Sequence, residues 1–420
     1  MFSVNGRFSE ETSAESTAAT IREVIQTLAP LDRTPCSPGE REAAQWLVDR
    51  LGSIAGVEAK LEDEDSWGPF PPNLVGLSLL SMVGALLTLR GRRALGALLA
   101  AVGMAGIIDE AQNGPRLVRR LVRRRRATVN VVACVDARVE QGDADTKIDT
   151  LVVLAHHDAA QTGVIFDQTL QRRVYELAPS LIERSKTSLP QWWLGLVGPL
   201  GTILGALTRW RGPVRTALVT GALGSALVID IWRSETVPGA NDNLSAVAVL
   251  VALAERLREE PLRGMRVLLV SCGAEETLQD GIRGFIARHR GELDPDRTCF
   301  LNLDAVGSRN LVMLEGEGPV WMEQYAGSWL RDHVARCARS LEIPLERDCR
   351  SRASTDGVIP SRAGYPLATL VSLNEWRGLG NYHLPTDVPK NLDYGTIADT
   401  TRLAYEVART LIDLPATGGR

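Results

Sequence analysis

The chain has 420 residues, 45% of them hydrophobic and 23% charged, with a formal net charge of −4. That suits one large or two ordinary globular domains, and the near-neutral balance gives no support for bulk nucleic-acid binding. The six cysteines show no paired spacing and residues 1–20 hold no apolar run like a secretory signal, so the expected location is cytoplasmic, at the inner face of a membrane if attached to one.

In chain order, helices are predicted at about 13–28 and 38–54, followed by a strand at 57–61. The first of two apolar insertions, 67–126, holds segments 74–89 and 94–108, separated by Arg90-Gly91-Arg92-Arg93. A run of arginines follows from Arg116 to Arg126, either a solvated helix face or a patch for anionic lipid headgroups. After a strand at 128–136, Leu151-Val152-Val153-Leu154-Ala155 reads as a buried strand delivering His156-His157-Asp158. On extended backbone His156 and Asp158 share a side, and a carboxylate beside an imidazole supports a metal-ligating histidine. His157 points the other way, to packing or to the rim.

The second insertion, 187–233, holds apolar segments 192–207 and 216–229, again with arginines at the tip, Arg209, Arg211 and Arg215. Each apolar segment is shorter than the roughly 20 residues of a spanning helix. Membrane association through 74–108 and 192–232, spanning or dipping into one leaflet, is one expectation; a soluble helical cap is the other. Tip arginines conflict with the positive-inside rule if the side carrying the rest of the chain is cytoplasmic. Both hairpins are expected near the mouth of one site.

Asp242, in Pro238-Gly239-Ala240-Asn241-Asp242-Asn243, precedes a helix at 245–258, where a lone aspartate would simply cap the helix. A strand at 265–271 leads into Glu275-Glu276, two adjacent anions that need a metal, a proton or solvent to offset their repulsion. A helix is predicted at 281–290 and a strand at 299–304 ends in Asp304. A strand at 311–314, a helix at 320–341 and a strand at 367–372 follow. His383 lies in the loop Asn381-Tyr382-His383-Leu384-Pro385-Thr386-Asp387, before a last helix at 394–414. The alternation gives an α/β fold, a three-layer αβα sandwich with a mixed, mostly parallel central sheet and two apolar helical-hairpin insertions. The main α/β domain is expected to comprise 1–66, 127–186 and 234–420. Histidines and carboxylates at strand ends, without cysteine, suit zinc, cobalt or manganese, and enough oxygens are present for two ions.

The order His-x-Asp, Gly-Ala-Asn-Asp-Asn, Glu-Glu, Asn-Leu-Asp-x-x-Gly and Tyr-His-x-Pro-x-Asp resembles the dizinc aminopeptidase and glutamate carboxypeptidase-like metallopeptidases. The segments around Pro35–Ala44 and Ser354-Thr355-Asp356 are similar to that family as well. The resemblance implies two Zn2+, with Co2+ or Mn2+ as alternatives, and Asp242 shared between them. His156 and Asp304 would complete one ion, Glu276 and His383 the other. Asp158 would orient His156, and Glu275 would be the general base toward the metal-activated water. It also implies a cis Asp242-Asn243 peptide. The implied activity is two-metal exopeptidase cleavage at the N-terminus of short peptides. Alternatives are a carboxypeptidase or amide hydrolase on the same site, with Arg352 and Arg362 as cations for a free carboxylate, a one-metal glutaminyl cyclase-like enzyme, and an inactive scaffold or receptor-like homologue.

Overall fold

A computed structural model describes residues 4–136 and 149–411. Its centre is a sheet of nine strands: β1 (Val57–Ser66), β2 (Arg126–Val135), β3 (Asp149–His156), β4 (Met265–Cys272), β5 (Thr298–Asp304), β6 (Asn310–Glu317), β7 (Glu323–Gln324), β8 (Glu346–Ser351) and β9 (Leu367–Leu373). The order is β1-β2-β4-β3-β5-β9-β6-β7, with β8 also paired to β6. Strands β4, β3, β5 and β9 run parallel, while β1, β2, β6 and β7 join through antiparallel pairings. The central strands are buried on both faces, which is why they read as continuous apolar runs.

Period-2 alternation divides the core in two. Val131, Val153, Leu269 and Leu301 face the helices Pro38–Gly52, Ser245–Glu259 and Tyr394–Leu411. Val132, Val152, Leu268 and Phe300 face the helix Asp280–His289 and the short helix Val358–Arg362. The sheet thus lies between two helical layers.

One predicted helix needs correction, and two strands were not expected. The helix expected at 320–341 begins only at Ser328 and ends at Ser340. Ahead of it, Gly318 (φ +155) and Gly327 (φ +62) break the chain, and Glu323-Gln324 pairs with Gly316-Glu317 instead. Strand β8 gave no apolar signal, because Glu346-Arg347-Asp348-Cys349-Arg350-Ser351 has only Cys349 buried. Residues 412–414 of the last predicted helix lie outside the described residues.

Three apolar segments form longer helices than expected, Pro71–Leu89, Arg93–Ala111 and Arg211–Arg233, while the segment 192–207 gives the 15-residue helix Leu194–Thr208. Flanking polar residues such as Asp109, Glu110 and Asp230 continue the helices beyond the apolar runs, and Pro71 opens the first of them at a position that needs no N–H. The two hairpins pack together as one four-helix bundle.

Candidate metal centre

Three neighbouring parallel strands bring the site together. His156 pairs in register with Cys272, and Leu154 with Asn302, so β3, β4 and β5 end side by side. His156, Glu275-Glu276 and Asp304 therefore share the carboxyl edge of the sheet, the usual ligand position in an open α/β fold. Asp242 arrives from the turn before the Ser245–Glu259 helix and His383 from the loop after β9.

Asp242 is the hub. Its Oδ1 lies 3.3 Å from His156 Nε2, and its Oδ2 lies 3.3 Å from His383 Nε2. His383 Nε2 is also 3.3 Å from Glu276 Oε1. Donor atoms of His156, Asp242 and Glu276 lie within 4.8 Å of one another. Asp242 Oδ2 and both ring nitrogens of His383 are buried without hydrogen-bond partners. Polar atoms left this way are costly, so donors converging without bonding one another fit a shared cation. Asp304 belongs to the same field: burial, then Asp242 and Glu276, raise its carboxyl well above the usual range.

The other ionisable groups agree. Burial, reinforced by Glu276 and Asp356, raises Glu275 strongly although His156 opposes it. Burial also raises Glu276, against the pull of His383. Burial works against the His383 imidazolium, but Glu276 and Asp242 lift its pKa to about 10. His156 rises likewise, with Asp158 and Asp242 overriding burial. The crowded anions favour added positive charge, which is the electrostatic setting of a cation site.

Asp158 lies behind this set. Its Oδ1 is 3.4 Å from His156 Nδ1, as the shared-side reading expects. Its carboxylate also accepts the backbone N–H groups of Glu275 (3.1 Å) and Glu276 (3.0 Å). One side chain thus lies against a histidine, as expected from sequence, and anchors the backbone of both glutamates, a contact invisible in sequence. His157 turns away, fully buried, with Nδ1 3.0 Å from Ser271 Oγ; burial pushes its pKa down to about 4.

Other residues of the site went unassigned in the sequence. Asp387 accepts the N–H groups of Asn241 (2.7 Å) and Asp242 (3.0 Å). Its position in the Tyr-His-x-Pro-x-Asp motif was the available signal. Glu40 accepts from Ala274 N–H (2.8 Å) and Thr128 Oγ1 (2.9 Å), bracing the turn into Glu275. Asp356 is buried with neither carboxylate oxygen hydrogen-bonded, and burial pushes it to about 7. Tyr382 stacks on His383 with ring centroids 3.8 Å apart, and Phe166 meets the same imidazole edge-on at 4.5 Å. The Asp242-Asn243 peptide is cis. Ala274 (φ +50), Leu278 (φ +74), Gln279 (φ +63) and His383 (φ +53) are left-handed, a conformation that concentrates at functional loops.

The arginine run is neither wholly solvated nor wholly a lipid patch. Arg116 and Arg119 are buried. Arg119 pairs with Glu110 (Nε–Oε2 2.9 Å) and donates to Thr277 O (2.6 Å). Arg116 pairs with Asp280 (2.7 Å) and donates to Leu278 O (3.0 Å). They clamp the base of the first hairpin to the loop after Glu276. Arg119→Met strands the buried Glu110 carboxylate and is expected to cost about 3–5 kcal/mol. Chemical denaturation checks this, with the Glu110→Met/Arg119→Met pair recovering most of the loss.

Residues 227–408 match Peptidase family M28. A comparison with curated proteins finds no match. Among solved structures, an aminopeptidase from Aneurinibacillus sp. strain AM-1 is 15% identical, with TM-score 0.53 over 94% of this chain and 93% of its own. The Legionella pneumophila LapA aminopeptidase is 9% identical, with TM-score 0.53 over 98% of this chain and 76% of its own. An Acidobacteriales bacterium glutaminyl cyclase is 13% identical, with TM-score 0.52 over 95% and 94%. At such identities the likeness is one of fold. The family match spans Asp242, Glu275, Glu276, Asp304 and His383, so this part of the chain is similar to Peptidase family M28, in line with the resemblance of its motifs.

Proposed function

We propose that this protein is a metal-dependent aminopeptidase whose two cations, zinc foremost, share Asp242. The observation carrying this reading is that each oxygen of one buried carboxylate faces a different histidine, His156 and His383. Asp304 would complete the ion on the His156 side, and Glu276 the ion on the His383 side. Such ions, when bound, supply Lewis acidity and lower the pKa of a water toward neutrality.

The chain's own residues do the rest. Asp158 holds His156 and the Glu275-Glu276 backbone in place. Glu275, with Gln279 Nε2 donating to its Oε1, takes a proton from the attacking water and returns it to the leaving amine. A pocket beside Glu276 and His383 is walled by Phe70, Pro71, Phe166, Ile231 and Trp232, which suits an apolar N-terminal residue.

The carboxypeptidase alternative gains no support from the two arginines. Arg362 is held by Glu323 (2.6 Å) and by the carbonyls of Gln112 and Asn113 (2.7 Å each). Arg352 lies over the Trp193 ring at 5.4 Å. A substrate panel tests the proposal. Leucine and phenylalanine nitroanilides should be hydrolysed, with activity lost to a chelator and restored by zinc. Cyclisation of N-terminal glutamine without hydrolysis would favour a cyclase, and inactivity with metal bound a scaffold.

A further inference from the structure

The four-helix bundle is built largely inside out. Apart from Leu74, Leu77 and Ile107 near its base and Val214, its buried positions are mostly small or hydroxylated: Ser81, Gly84, Thr88, Gly103, Thr202 and Gly205 among them. A Cβ on Gly84 would stand 2.6 Å from Gly96 O, and one on Gly201 2.8 Å from Pro213 O. The helices therefore meet backbone to backbone. The interior hydroxyls bond within their own helices: Ser81 to Leu77 O (3.1 Å), Thr88 to Gly84 O (3.0 Å) and Thr202 to Gly198 O (3.1 Å).

Every helix also turns large aliphatic side chains outward. Leu79 is 50% exposed, Leu98 59%, Leu200 52% and Leu223 62%. In water such residues gain by turning inward, and a monomer rarely exposes so large an apolar surface. In lipid that gain vanishes, and small residues at the contacts allow close packing. Because the band occupies the outer faces of all four helices, a surrounding solvent covers it better than one protein partner could.

The dimensions agree for three of the four helices, and Leu194–Thr208, with 15 residues, is the shorter fourth. Pro71–Leu89, Arg93–Ala111 and Arg211–Arg233 are long and apolar enough to cross a membrane. A helix of 19 residues reaches about 28 Å, against a hydrocarbon core about 30 Å thick. Tip residues Arg90, Arg92, Arg209 and Arg211 can snorkel to one interface. At the base, Leu117 (59% exposed) and Leu121 (85%) lie beside the exposed Arg120, Arg124 and Arg125, and Arg120 covers the Trp67 ring at 4.8 Å. Apolar and basic side chains with tryptophan mark a second interface.

We propose that the bundle is embedded in a lipid bilayer and that its base holds the pocket beside Glu276 and His383 at the membrane surface. The second clause rests on the peptidase reading of that pocket, and the first does not. Phe70, Pro71, Ile231 and Trp232 join the bundle's base to the pocket wall, so apolar peptide ends lying at the interface would reach the site without crossing open water.

The test uses the full chain. Wild type should stay with membranes after a carbonate wash and float with neutral phosphatidylcholine vesicles at high salt. Brominated phosphatidylcholine should quench its tryptophan fluorescence. The variant Leu79→Lys/Leu98→Lys/Leu200→Lys/Leu223→Lys should float at least tenfold less. Wild type that is a detergent-free soluble monomer, that forms a soluble oligomer with the band covered by a second copy, or that leaves vesicles when salt is added would overturn the proposal. Quenching is read on wild type, so it stands even if the variant does not fold. Metal content and nitroanilide hydrolysis are scored separately, which separates failure of this proposal from failure of the peptidase reading.

Discussion

Glu275→Gln is expected to lower turnover about 10³-fold, within the usual range for a general base, while leaving the metal content unchanged. Glu275 lies 4.0 Å from His156, buried within the anionic cluster. An amide there keeps the shape and the contact from Gln279 but neither accepts nor returns a proton. The loss should appear in kcat, with KM little changed, because proton transfer belongs to the transition state. Peptidase activity within threefold of wild type would remove Glu275 from the chemistry.

Asp242→Ala should do more damage by a different route. Among the described residues this carboxylate alone faces both His156 and His383, so its removal takes a donor from each half of the centre. Bound metal should fall below one equivalent after dialysis, and activity should drop below that of Glu275→Gln. The two variants thus separate chemistry from metal retention. An Asp242→Ala protein that retains full metal content would show that the histidines hold ions without it.

The site was legible because its residues sit at the ends of strands that carry their own signal. Leu151–Ala155 announces a buried strand, and whatever follows it must lie at the carboxyl edge. The same holds for Glu275-Glu276 after β4 and Asp304 at the end of β5. What escaped depends on long-range partners. Asp158 reaches the N–H groups of residues more than a hundred positions away, and Glu40 reaches Ala274. Nothing local marks a carboxylate as the anchor of a distant backbone. Arg116 and Arg119 were hidden for the same reason: in a run of arginines, burial depends on Asp280 and Glu110 lying where the fold brings them. The short strand β7 and the shortened helix after it were missed because Gly318, Gly327 and the pairing with β6 outweigh local propensity. For the hairpins, apolar composition was readable. The orientation that puts glycine inside and leucine outside was not, since it follows from how the two distant insertions pack together.

The central claim is that Asp242 is shared by two cations. Metal content of the wild-type protein, measured by plasma mass spectrometry after zinc loading and exhaustive dialysis, tests it most directly. Two equivalents per chain are predicted, both lost on Asp242→Ala. One equivalent, or none, in the wild-type protein would contradict it.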